Sequence, residues 1–190
     1  MVEHRTESRT GILAAELKER RERLLEHIRR ESLSGYVLFG ADYIQYFTGF
    51  WFLSNERPVI YAEGVGGESA VFVPEFEVER TRAEAAFARV ESYPEYPGIE
   101  HPMSIFARVL ADLGIRDAIG ADQDGYPGLL GYKGPALSDA AGASVTPLGD
   151  VIEGHDGAQE RQRGRAHPRE RALVRARAPA AAGVLTARHD

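Results

Sequence analysis

The stretch RPVIYAEGVGGESAVFVP, Arg57 to Pro74, places two short runs rich in Val, Ile, Tyr and Phe on either side of a glycine-rich segment. Each run, Arg57–Gly64 and Glu68–Pro74, reads as a strand, and GVGG between them reads as the turn of a β-hairpin. Glycines in such a loop also suggest a phosphate cradle. A cradle needs a strand before the glycines and a helix N-terminus after them. Here a second strand follows, so a nucleotide site rests on GVGG alone and the hairpin turn is the reading.

The elements on both sides of the hairpin alternate. Upstream, ILAAELKERRERLLEHIRRES (Ile12–Ser32) places Leu13, Leu17, Leu24, Leu25 and Ile28 on one stripe. That is an amphipathic helix, and its other face of Glu and Arg reads as solvated, with i,i+4 pairs such as Glu16–Arg20. GYVLFG (Gly35–Gly40) reads as a buried strand. Downstream, EFEVERTRAEAAFA (Glu75–Ala88) has helical period, with Phe76, Ala83 and Phe87 on one side and acids in its first turn after Pro74. RVESYP reads as a strand, EHPMSIFARVLADLGI as a helix stopped near Gly114, and DAIGAD as a strand. GYPGLLGYKGPALSDAAG reads as a loop with short helices, and SVTPLGD as a last strand. The fold class is therefore α/β: a single domain with a mixed β-sheet flanked by helices, the hairpin supplying the antiparallel part.

The chain has 190 residues, enough for one well-buried domain. It has no cysteine, which excludes disulfides and thiolate chemistry. No apolar run approaches the ~20 residues that cross a bilayer. The N-terminus lacks an apolar signal region, so the expected location is the cytoplasm, with no membrane partner. Residues 1–150 carry 24 acidic and 15 basic side chains, a net of −9, while 151–190 carry 5 and 8, a net of +3. An acidic body argues against a nucleic-acid partner. From residue 154 onward there is no aromatic residue and arginines recur without a helical stripe, so this segment reads as a basic, low-complexity, disordered tail.

Candidate chemistry is sparse. The six histidines form no HExxH pair or other metal-ligand spacing, and no GxSxG nucleophile elbow occurs. Asp122 and Asp124 in ADQDG lack the further oxygen ligands of a calcium loop and read as turn formers. DYIQYFTGFWF, Asp42 to Phe52, packs six rings into eleven residues. They cannot all face inward from one helical turn or one strand face. Phe50, Trp51 and Phe52, with Arg57, are the candidates for a partner-covered or entrance-lining surface.

GYVLFGADYIQYFTGF followed by RPVIYAEGVGGESAVFVPEFEVERTR resembles the N-terminal domain of the creatinase/prolidase/Xaa-Pro aminopeptidase family. The sharpest part is YFTGF followed at the right distance by VFVPEFE, against a family pattern N-x-x-Y-[LF]-T-G-F. Asp42 is a mild departure. The likeness runs from about Glu16 to Asp150. It implies a mixed α/β N-terminal domain over 12–153, after a flexible 1–11, that serves subunit contacts and the wall of the active-site entrance. It also implies a separate catalytic domain with two divalent metal ions (Mn, Co or Zn), held by Asp, His and Glu, that cleaves proline-containing peptides. No catalytic or metal-ligating residue is assigned here, so this chain alone is expected to be inactive and without cofactor. Expected partners are further copies of the chain. The tail invites a frame-shift reading, because a one-base shift with GC-rich third positions writes residues 155–190 as an amphipathic helix, leaving a truncated form. The alternative is a free-standing α/β binding or scaffold module with a genuine basic tail.

Overall fold

A computed structural model describes residues 14–53, 57–85, 87–94, 100–125 and 134–154. Met1–Ile152 make one compact unit, and of the second, Glu153–Asp190, only residues 153 and 154 are described. The expectations for residues 1–11, for Leu13 and for the tail from 155 lie outside the described residues.

The elements are α1 (Ala14–Arg30), β1 (Gly35–Leu38), α2 (Ala41–Thr48), β2 (Ile60–Gly64), β3 (Ser69–Pro74), a 3-10 turn (Glu75–Glu77), α3 (Val78–Glu84), β4 (Arg89–Tyr93), α4 (Pro102–Asp112), β5 (Ala118–Ala121), α5 (Leu137–Ala141) and β6 (Ser144–Pro147). The six strands form one sheet in the order β4-β3-β2-β1-β5-β6. β1, β2 and β3 pair antiparallel, and the β3–β4, β1–β5 and β5–β6 pairs are parallel. The mixed sheet is thus as the residues imply, with GVGG as the hairpin turn: the Gly67 N–H donates to Gly64 O at 2.8 Å and Gly67 takes φ 89°.

Every residue of β1, β2 and β3 is buried, as expected of strands covered on both faces. One face packs Leu24, Leu25 and Ile28 of α1 and Ile44 and Phe47 of α2 against Tyr36, Leu38, Tyr61 and Val71. The other packs Met103, Phe106 and Leu110 of α4 and Leu137 of α5 against Val37, Ile60, Phe72 and Ile119. Gly35 and Gly64 are register partners, and the α4–β5 connection lies against them through Ile115 and the Leu113 carbonyl. A Cβ on Gly64 would lie 2.5 Å from the Leu113 carbonyl oxygen. Gly64→Ala is therefore expected to cost about 1–3 kcal/mol in urea unfolding, because a backbone atom has to give way.

One reading needs an addition and one a correction. The first part of the ring-rich segment, to which the residues alone assign no element, is the two-turn helix α2, closed by Gly49 at φ 73° with its N–H on Gln45 O. The helix after Pro74 ends at Glu84, and its expected apolar side is the exposed one: Phe76, Ala83 and Phe87 face solvent, while Thr81 and Ala85 are buried. The 3-10 turn at its start changes the phase, and Phe87 lies past its end.

Asp122 joins β5 to the start of α2. Its Oδ1 accepts from the Phe39 N–H at 2.9 Å and its Oδ2 from the Gly40 N–H at 2.7 Å. Burial pushes its carboxyl above the usual aspartate range, against the pull of these donors. A folded value above the unfolded one gives a contribution fully present below the ordinary aspartate range and lost as pH rises through the raised value. Asp122→Ala is expected to cost about 2 kcal/mol near neutral pH by stranding two N–H groups. The gap to wild type should widen toward acid pH, as urea denaturation from about pH 3 to pH 7 would show.

Candidate interaction surface

The charge-rich side of α1 is not wholly solvated. Arg20 and Arg21 are buried. Arg20 Nη1 donates to the Tyr46 carbonyl at 2.7 Å and Arg21 Nη1 to the Phe47 carbonyl at 2.8 Å. These carbonyls belong to the last turn of α2, whose C-terminal groups lack intrahelical donors and carry partial negative charge. Two adjacent guanidiniums therefore cap α2 from another helix. Arg20 also lies over the Tyr46 ring at 4.1 Å and keeps its Glu16 pair at 2.6 Å. Arg21 stacks on Phe87 at 4.1 Å.

Beneath Arg21 is a buried polar cluster. The Tyr36 and Tyr61 hydroxyls both donate to Glu63 Oε2, at 2.6 and 2.8 Å, and Arg21 Nε lies 3.8 Å from the same oxygen. Burial, reinforced by neighbouring negative charge, pushes both phenols well above their usual range, so they stay protonated donors. The sequence reading missed this cluster. Glu63 inside the apolar run IYAEG was the available signal, since a buried carboxylate needs partners.

Past Gly49 the burial of successive rings alternates. Phe50 and Phe52 are 0% and 5% exposed and stack on each other at 5.8 Å. Neither lies on a surface, so the interface role expected of them is corrected: the core of this chain already covers both. Trp51 points the other way and is 52% exposed, and Leu53 beside it is 74% exposed. Phe76, 51% exposed, carries the Arg57 guanidinium 5.2 Å above its ring. Arg80 donates to the Trp51 carbonyl and is held by Glu77 at 3.3 Å and Glu84 at 3.2 Å. Of the four residues picked from the sequence, Trp51 is thus exposed and Arg57 half-buried, with Leu53 and Phe76 as exposed additions. Arg20, Arg21 and Arg80 grip three carbonyls of this segment, at Tyr46, Phe47 and Trp51, so an exposed ring is presented from a fixed backbone.

His101 caps α4, its Nδ1 accepting from the Met103 N–H at 3.1 Å, and burial lowers its pKa. Asp124 accepts from the Ser138 N–H at 2.8 Å and the Ser138 hydroxyl at 2.7 Å, a local tie at the start of α5. Among the described residues no three His, Asp or Glu side chains gather to hold a metal ion, and no helix is long and apolar enough to cross a membrane.

Solved structures share this architecture. A proline dipeptidase from Streptococcus pneumoniae matches with TM-score 0.59 at 24% identity, over 72% of this chain and 96% of that one. The Creatinase/Prolidase N-terminal domain of an X-Pro dipeptidase from Streptococcus pyogenes matches with TM-score 0.59 at 19% identity, over 72% and 98%. An Xaa-Pro dipeptidase from Bacillus anthracis matches with TM-score 0.56 at 18% identity, over 72% of this chain but 35% of that one. At these identities the likeness is one of fold. No curated protein matches the chain. The Creatinase/Prolidase N-terminal domain model matches residues 20–155, well over half of the sequence and the whole of the sheet. The chain belongs to that family.

Proposed function

We propose that this chain serves as the non-catalytic N-terminal domain of a hydrolase similar to the Xaa-Pro dipeptidases, and that its Trp51–Phe76 surface makes the subunit contact and walls the entrance to an active site. The single observation behind this is the half-exposed Trp51 ring on a backbone clamped by Arg20, Arg21 and Arg80, with a second half-exposed ring, Phe76, under the Arg57 guanidinium. Large aromatics beside an arginine are the residues that carry binding energy at interfaces, and a fixed loop pays little ordering entropy on docking. The partner is a second copy of the chain. The divalent metal pair and the proline-containing substrate belong to the catalytic domain, and the cytoplasm is the location that goes with them.

The test of the non-catalytic role is direct. The purified chain, given Mn²⁺ or Co²⁺, is expected to leave Xaa-Pro dipeptides intact and to bind neither ion stoichiometrically. Metal-dependent release of proline would overturn the reading.

A further inference from the structure

A groove of about 460 Å³ is lined by α1 and the turn end of the β2–β3 hairpin, and Trp51 is not among its lining residues. Its helix wall carries Lys18, Arg21, Glu22, Glu26 and Arg29, and Glu63 lies on the hairpin side. The lining thus carries three cations and three carboxylates, so neither an anion nor a cation alone is favoured. Leu25 and Phe87 add apolar surface.

The floor is only half used. Glu63 is 6% exposed, yet all its hydrogen bonds go to Oε2, and Oε1 accepts none from any described residue. Glu63 lines the groove, so this unused oxygen is the acceptor it has left for a ligand. Arg21 is alike: Nη1 is spent on Phe47 O and Nε faces Glu63, while Nη2 has no partner among the described residues. Glu63 and Arg21, whose Oε2 and Nε lie 3.8 Å apart, thus bring an unused acceptor and an unused donor to the lining of one groove. Glu26, also in the wall, adds an acceptor with no ion pair among the described residues, and Lys18, one turn from Arg21 and paired with Glu22 at 3.5 Å on the exposed side of the helix, adds a cation that can exchange that pair for a ligand carboxylate.

The geometry points to a binding site for a small zwitterion, an α-amino acid or short peptide. Its ammonium is taken by Glu63 Oε1 and Glu26, and its carboxylate by Arg21 Nη2 and Lys18. The buried members are held in place by the phenols and by Phe47 O, so the site is preorganised and charge-assisted. This inference is independent of the role proposed for Trp51.

Calorimetric and NMR titration of the full chain with glycine, glycylglycine, sodium acetate and methylammonium tests it. The expected result is saturable binding of glycine or glycylglycine at about 1 mM or tighter, with shifts at Phe87, Tyr61 and Glu63. Which of the two binds more tightly tells amino acid from peptide. Glu63→Gln should weaken binding at least ten-fold. Glu26→Gln, on the exposed helix face, should weaken it several-fold with unchanged melting, and it decides the matter if Glu63→Gln fails to fold. Absence of saturation, equal binding of acetate or methylammonium alone, or indifference to Glu26→Gln would overturn the site.

Discussion

Arg21→Ala is expected to lower the unfolding free energy by about 3–5 kcal/mol, the cost of leaving a buried charge without its partner. Three losses coincide. Glu63 keeps two phenol donors but loses the guanidinium 3.8 Å from its Oε2. The Phe47 carbonyl at the C-terminus of α2 loses its donor, and Phe87 loses the guanidinium stacked on it. For a domain of this size the melting temperature should fall by about 10 °C. Glu63→Gln keeps an acceptor for the phenols without the charge, so it should cost less. Combining it with Arg21→Ala should recover part of the loss, a coupling that a double-mutant cycle in urea would read. Additive costs would mean that the charges of Arg21 and Glu63 do not depend on each other.

Trp51→Ser should act in the opposite way, on association and not on stability. Its side chain is 52% exposed, so the melting temperature should move by no more than a surface substitution allows, about 0.5 kcal/mol. As an interface anchor it is worth about 2–4 kcal/mol, which means about 30- to 1,000-fold weaker self-association in sedimentation equilibrium. Phe76→Ser should reproduce this. Arg80→Ala should show a smaller loss, since Arg80 touches no partner in this account and acts only by holding the Trp51 carbonyl. Unchanged association in all three variants would remove the surface from the subunit contact.

Most of the fold was legible because its signals are local. The hairpin announces itself in two β-branched and aromatic runs around GVGG, and α4 in its period and the Gly114 stop. The α2 helix was harder to see, since eight residues with three rings give a weak stripe, although the glycine of YFTGF is its left-handed stop. The Arg20 and Arg21 contacts were not legible at all: their carbonyl acceptors lie 26 positions away, and local pattern treats every arginine on a charged helix face as solvated. The site was half legible. A cluster of rings too dense to bury implied exposure, but only the alternation of Phe50, Trp51 and Phe52 past Gly49 decides which ring is outside.

Trp51 is the sole tryptophan, so its fluorescence reports on this surface alone. Emission followed from nanomolar to high-micromolar chain, alongside the sedimenting mass, should shift to the blue as the mass doubles, and Phe76→Ser should suppress both changes together. A chain that doubles in mass while Trp51 keeps its solvent-exposed emission, or that stays monomeric throughout, would contradict the assignment of this surface as the subunit contact.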